Sequence, residues 1–346
     1  MVPTAKRELV HAQDQWSITQ FSAALTNALA GSGPALGIGN ILSTSVSTDV
    51  ALVVTTSGST GTPKEIHLSA AAVTASAKAT NTFLKADAGN SWSLLLPLTH
   101  IAGINVLVRA LLLKSEVLDF RNNSQYTKAD FTAIVPTQLN RALTADHQLL
   151  KHLQEAKAVL VGGAPLAESD KQSAHANGIN VITTYGMSET SGGCIYNGTP
   201  LDGVAVKIVE NIIYLRGPML AQVPLVDGWL KTADIGRLEN GKLAVFGRSD
   251  DQIISGGEKI SLSVIEQALS ENFESIFLAF AKPDQEWGER LCIATTLELS
   301  QDTISHFLKN RFGGYATPKE IHKVDEIPLV GIGKPDRAKL IERLAK

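Results

Sequence analysis

Cysteine, aromatic side chains and net charge are all scarce in this chain, and each shortage closes off a class of function. Only Cys194 and Cys292 occur in 346 residues, too few for a disulfide framework, and no C-x-x-C or H-E-x-x-H spacing offers a zinc site. Both read as small buried residues. A formal charge of −3 gives no field that would gather nucleic acid or an anionic membrane, so any polyanion must be held by a local site. No uninterrupted apolar run reaches the length of a signal core or a membrane span, so a cytoplasmic protein with no membrane span and no nucleic-acid partner is expected. Repeats, low-complexity tracts and basic tails are lacking as well. What remains is a hydrophobic content of 44%, enough to bury a large core in two or three compact units.

Against that plain background one stretch stands out: Thr55-Thr56-Ser57-Gly58-Ser59-Thr60-Gly61-Thr62-Pro63-Lys64. It follows a short apolar run over 50–54 and precedes Ala-rich sequence over 69–83 with helical character, which predicts a strand-to-helix turn. Two glycines, six hydroxyls and one lysine crowd into ten residues. Glycine lets backbone N–H groups approach a ligand, and hydroxyls with an ammonium suit polyphosphate oxygens. The Walker spacing is absent, since Lys64 follows Pro63 and no Ser or Thr follows it. Taken alone, the string reads equally well as a flexible surface loop.

Further along, apolar runs at 92–96, 131–135, 158–161 and 179–183 alternate with helical patterns, which predicts a layered, largely parallel α/β sheet. A helix is expected at 18–30 and another at 101–113. Each run ends in small, hydroxyl-bearing or ionisable residues: Pro97 to His100, Pro136 to Gln138, Gly162 to Pro165 and Thr184 to Thr190. That repetition predicts a shared cleft beyond the strand C-termini. From Gly203 the pattern changes to paired short strands, 204–209 with 212–216 and 235–238 with 243–246 across an Asn240-Gly241 turn. A polar stretch, Gly247 to Asp251, then leads into a compact α+β unit. There Ser263-x-x-Glu266 fits a capping box, and Pro335 suits the first turn of a last helix. The expected organisation is a large domain over 1–247 that includes a small antiparallel subdomain, a hinge at 248–250, and a small mobile α+β domain over 251–346.

Five motifs, taken in order, resemble the series of the acyl-adenylate-forming superfamily of acyl-CoA synthetases, adenylation domains and luciferases. They are Thr56 to Lys64, Tyr185 to Thr190, Gly228 to Asp234, Gly247 to Asp251 with Ile253 to Glu258, and Gly333-Lys334. Within it, the stretches at 52–64, 100–109, 135–139 and 184–194 resemble the short 2-succinylbenzoate CoA ligases of menaquinone biosynthesis, particularly actinobacterial ones. The resemblance implies an ATP-dependent, AMP-forming ligase using Mg2+ and coenzyme A: a carboxylic acid is adenylated, then the CoA thiol displaces AMP. Other aryl- or acyl-CoA synthetases, a stand-alone adenylating enzyme and a non-enzymatic nucleotide-binding module are the competing readings. A homo-oligomer is left open.

The resemblance also implies roles. Lys334 would bind the substrate carboxylate and α-phosphate during adenylation, and Glu189 would hold magnesium. Thr56, Ser57, Gly58, Ser59, Thr60, Gly61, Thr62 and Lys64 would cradle phosphates. Gly163, Ala164, Pro165 and Tyr185 would wall the adenine within the Thr184, Gly186, Met187 and Ser188 stretch. Asp234 would accept both ribose hydroxyls, with Arg248 supporting the sugar. Asp250 would be the hinge about which the terminal domain turns, presenting Lys334 first and the Ser255, Gly256, Gly257 face later. His100 matches the family's pocket histidine, and its helix could point Asn105 or Arg109 at a second carboxylate. Each has a plainer alternative: Lys334 and Arg109 as solvated residues, Glu189 as a helix start, His100 and Tyr185 as core, Asp234 with Arg248 as a hairpin-edge ion pair. Three departures from the family pattern are Glu65 and Ala233 in place of glycine and Lys259 in place of asparagine.

Overall fold

Helix Ile18–Ala30 is closed at both ends by its own sequence. Ser17 accepts from the Gln20 N–H at 3.2 Å while Gln20 Oε1 accepts from the Ser17 N–H at 2.9 Å, and Gly31 ends the helix in a left-handed conformation at φ 74. The Arg7 guanidinium donates to the carbonyls of Ala28, Gly33 and Val50, tying the helix end to the first sheet. The computed structural model describes residues 6–13, 16–57, 63–273, 275–330 and 334–344.

Among the described residues the larger part of the chain holds three sheets. The first orders its strands Ser45–Ser47, Lys6–His11, Ala35–Ile38, Val50–Ser57, Pro63–Ser69. Strand Pro63–Ser69 corrects the expected strand-to-helix turn: it pairs antiparallel with Val50–Ser57, from Ser57 opposite Pro63 to Leu52 opposite Leu68, before helix Ala70–Leu84 begins. The glycine-rich stretch therefore joins two strands, because Glu65, Ile66, His67 and Leu68 alternate polar and apolar. The first fifty residues likewise hold strands beside the expected helix.

The second sheet runs Thr199–Pro200, Gly192–Tyr196, Val181–Met187, Ala158–Val161, Phe131–Ile134, Trp92–Leu94, Val117–Asp119. Its last five strands are mutually parallel, in a register that sets Leu94, Ala133, Leu160 and Ile182 in one row. The predicted runs are thus neighbours, and the segments that follow them emerge at one edge. Helix Ile101–Leu113 covers this sheet and buries Ile104, Val106, Leu107 and Val108 completely, each such side chain contributing about 1.5–3 kcal/mol by burial. Gly103 permits its approach, since a Cβ there would lie 2.3 Å from the Pro97 carbonyl oxygen.

The third sheet is antiparallel, in the order Ala205–Val209, Ile212–Arg216, Leu230–Glu239, Lys242–Arg248, as the paired short runs predict. Past it lies a smaller α+β domain. Strands Glu258–Ser261, Gln252–Ser255, Gly288–Thr295 and Phe277–Asp284 form its sheet, Glu320–Lys323 pairs parallel with Gly288–Thr295, and helices Leu262–Phe273 and Gln301–Phe312 pack on its core. Two local expectations fail here. The helix begins at Leu262, and Glu266 is spent on the Ala279 N–H and Arg337 instead of a capping box. Burial pushes its carboxyl up to about 7, against the pull of Arg337. Pro335 lies in a two-residue strand, and the last helix is Arg337–Leu344. Both cysteines are buried, and burial pushes the Cys194 thiol up to about 12.

Candidate active site

Strand Val181–Met187 carries several of the residues expected to meet a nucleotide. It runs parallel to Ala158–Val161 through Thr183, then pairs antiparallel with Gly192–Tyr196 through a bulge between Tyr185 and Gly186. The bulge re-aims Tyr185, and Gly186 is required because a Cβ would sit 2.1 Å from the Gly192 carbonyl oxygen. Thr184 Oγ1 donates to the Val161 carbonyl at 3.3 Å. Gly163, Ala164 and Pro165 are exposed immediately beyond that strand, with Gly163 at φ 86.

The Tyr185 hydroxyl donates to Asp234 Oδ2 at 2.6 Å, bridging the seven-stranded and antiparallel sheets. Burial, then the neighbouring Asp234 charge, pushes the phenol far above its ordinary range. Asp234 is 8% exposed. Its backbone N–H donates to Thr232 Oγ1 at 3.0 Å, and its Oδ1 lies 3.4 Å from Arg248 Nη1. Arg248 in turn holds Asp250 with two bonds, Nε to Oδ1 at 2.7 Å and Nη2 to Oδ2 at 2.6 Å. The hydrogen bonds to Asp250 raise the Arg248 pKa, outweighing burial. Four sequence-predicted residues thus form one connected cluster of alternating charge.

Ser188, Glu189 and Thr190 form a single turn after Met187. The Glu189 carbonyl accepts from the Ala221 N–H at 2.8 Å, and the His67 carbonyl accepts from the Gln222 N–H at 2.9 Å, which sets this turn against strand Pro63–Ser69. Lys64 is exposed at the start of that strand. The Thr56 hydroxyl lies 3.5 Å from the Lys64 carbonyl. Gly58, Ser59, Thr60, Gly61 and Thr62 lie outside the described residues. Glu65, the departure from glycine, accepts from the N–H groups of Leu42 at 2.5 Å and Ser43 at 3.1 Å and from the Ser43 hydroxyl. Burial raises its pKa, but those donors together outweigh burial and hold it below the usual glutamate range. The carboxylate therefore stays ionised, its oxygens occupied by donors from the loop at 42–43.

Among the residues expected to meet the acid, His100 occupies the N-cap position of helix Ile101–Leu113 at the strand edge, with Nδ1 3.0 Å from Thr99 Oγ1. Asn105 and Arg109, one turn apart, share a face. The expectation of a solvated Arg109 is overturned: Asn105 is 0% and Arg109 4% exposed. Asn105 Nδ2 donates to the Ser191 carbonyl at 2.8 Å. Arg109 Nη2 donates to the Tyr196 hydroxyl at 3.3 Å, and its guanidinium lies 5.2 Å from the Trp92 ring centre. Asn105 Oδ1 and Arg109 Nε have no hydrogen-bond partner, and no carboxylate pairs with Arg109 among the described residues. Burial depresses the Arg109 pKa. Sequence reasoning passed over Tyr196 and Trp92, and it singled out Ser191 only as part of a motif. Only the Ser191-Gly192-Gly193 run carried a local signal.

Lys334 lies in the short strand Lys334–Pro335, antiparallel to Leu329–Val330, while 331–333 are outside the described residues. Ser255, Gly256 and Gly257 form a hairpin turn in the smaller domain, with Gly256 against the Trp287 ring, apart from the Tyr185–Asp234–Arg248 cluster. A cavity of about 240 Å³ between Phe83, Lys85, Phe131, Lys157 and Ile182 opens at the opposite, N-terminal end of the parallel strands and touches none of the candidate residues.

Comparison with known proteins matches residues 5–217 to the AMP-binding enzyme model and 275–334 to the AMP-binding enzyme C-terminal domain. A probable 2-succinylbenzoate–CoA ligase of Mycobacterium tuberculosis is 38% identical over 86% of this chain and 85% of its own. The 2-succinylbenzoate–CoA ligase of Haemophilus influenzae is 30% identical over 86% and 71%. Among solved structures, Escherichia coli MenE with bound OSB-AMS is 25% identical, with a TM-score of 0.75 over 96% of this chain and 81% of that one. The Bacillus subtilis O-succinylbenzoate coenzyme A synthetase in complex with ATP and magnesium shares the fold, at 21% identity and a TM-score of 0.74 over 92% and 82%. With its strand-edge cluster and both family models matched in order, the chain belongs to the AMP-binding enzymes.

Proposed function

We propose that the protein is an ATP-dependent, AMP-forming ligase that activates 2-succinylbenzoate as its acyl adenylate and transfers it to coenzyme A, a step of menaquinone biosynthesis. Its relatives at 38% and 30% identity carry that activity in their names. The choice of acid rests on Arg109: a buried guanidinium without a carboxylate is costly unless an anion joins it. The second carboxylate of 2-succinylbenzoate supplies that anion while the first reacts.

In the first half-reaction a carboxylate oxygen attacks the α-phosphorus of ATP and pyrophosphate leaves. Negative charge gathers at that phosphorus, so positioning and electrostatics dominate the catalysis. Lys334 supplies positive charge there, Asp234 and Arg248 orient the ribose, and Tyr185 with Gly163 to Pro165 shelters the adenine. In the second the CoA sulfur attacks the acyl carbon, AMP leaves and the thiol proton is released. Among the described residues no group of three or more His, Cys, Asp or Glu could hold a metal. One carboxylate, Glu189, beside the triphosphate of the substrate fits a magnesium ion, which takes most of its oxygens from phosphate and water and neutralises charge there. The domains divide at a hinge over 248–250, with 251–346 as the lid. No helix among the described residues is long and apolar enough to cross a membrane, and we place the enzyme in the cytoplasm, where its ATP and CoA are drawn.

The test is turnover of a panel of carboxylic acids with CoA and Mg-ATP. 2-Succinylbenzoate should give the highest kcat/KM, and Lys334→Ala should abolish acid-dependent pyrophosphate exchange. A monocarboxylic acid turned over better would reject the assigned substrate.

A further inference from the structure

We propose that Arg337 is a positioning residue for adenylation, fastening the root of the Lys334 turn to the residue just past the hinge so that the turn travels with the linker as one body. This rests on the roles given above to Lys334 and to 248–250.

The turn is closed at its base by the pairing of Lys334–Pro335 with Leu329–Val330, and the Asp336 N–H donates to the Pro328 carbonyl at 2.7 Å. Arg337 follows at once and opens the last helix. Its guanidinium takes three partners from three other segments. Nε donates to the Ala279 carbonyl at 2.7 Å, Nη2 donates to Glu266 Oε1 at 2.8 Å, and Nη1 pairs with Asp251 Oδ1. Glu266 Oε1 also accepts from the Ala279 N–H at 2.8 Å. Asp251 is held in turn by the N–H of Ser263 at 3.1 Å on Oδ2 and by the N–H of Leu262 at 3.0 Å on its carbonyl. Linker, helix Leu262–Phe273, strand Phe277–Asp284 and the last helix therefore meet on one planar fork, which only arginine can present.

The adjacent aspartates divide the work. Asp250 is bound by Arg248, which also reaches Asp234 on the nucleotide side, whereas Asp251 is bound by Arg337 within the smaller domain. Rotation at 250 leaves the Asp251–Arg337 pair intact and carries the base of the Lys334 turn through the same angle. Without the fork the turn keeps its lysine but loses its fixed relation to the axis, and a small misplacement of a catalytic group costs rate more than binding.

Two variants test this, Arg337→Lys, which keeps the charge but not the fork, and Arg337→Met. Each is assayed for acid-dependent pyrophosphate exchange and for thioester formation from supplied 2-succinylbenzoyl-AMP with CoA. Adenylation kcat is expected to fall about tenfold or more, with KM for ATP within about twofold and the supplied adenylate used within about threefold of wild type. Equal loss of both half-reactions, or an unchanged adenylation rate in Arg337→Lys, overturns the proposal. If Lys334→Ala itself leaves adenylation intact, the role of the lysine fails first, and that result is read independently of Arg337.

Discussion

Asp234 and Arg109 are both sheltered charges, yet Asp234 has Tyr185 on one oxygen and Arg248 on the other, while Arg109 has a phenol and an indole face and no anion. The first belongs to a cluster assembled where strands of two sheets meet. The second is sunk on a helix face amid apolar sequence. On the proposed function, the nucleotide is met by groups that already pair with one another, whereas the acid is selected by a charge left waiting.

That contrast can be broken most forcefully at Asp234. Asp234→Ala removes the acceptor for the ribose, and with charge-assisted hydrogen bonds near 1.5–3 kcal/mol each the KM for ATP should rise roughly 100-fold while the melting transition survives. A collapsed transition would make the residue a structural ion-pair partner. Arg109→Met sharpens the other half. It should raise the KM for 2-succinylbenzoate by about tenfold or more, leave ATP binding alone and hold or raise the melting temperature, because an unpaired buried charge is removed. Equal effects on acid and nucleotide would dissolve the distinction. The smallest effect concerns neither half. His152 is buried beside Ser93 and Tyr126, and burial holds its imidazole below the usual histidine range. The unfolded ring titrates near 6.5, so a protonated unfolded state gains on the folded one as the pH falls, and the stability present above that value is lost below it. Melts between about pH 7 and pH 5 should lose stability to this group as the pH falls, and His152→Gln should flatten that slope.

The two halves were not equally legible in the sequence. Helices Ile18–Ala30 and Ile101–Leu113 match their expected bounds, and the Asn240-Gly241 hairpin and the row of parallel strands follow from patterns of period two and 3.6. That Tyr185, Asp234, Arg248 and Asp250 would come together was readable because each sits in a short motif. Strand Pro63–Ser69 was missed although its alternation is plain, because the Ala-rich sequence over 69–83 reads as a helix that follows the turn directly. Glu266 was misassigned for a physical reason: the capping spacing was present, but a distant arginine offered a stronger partner than a backbone N–H. The burial of Arg109 had no local signature at all. It depends on Trp92 and Tyr196, 17 residues before and 87 residues after it in the chain, and only the fold brings those rings together.

The bond from Tyr185 to Asp234 has an optical consequence. With the phenol held above its ordinary titration range by burial and by Asp234, its near-ultraviolet tyrosinate absorbance should rise later in alkali than that of an exposed tyrosine, and parting the two sheets should bring it forward, so one side chain at the seam reports on that seam without any label.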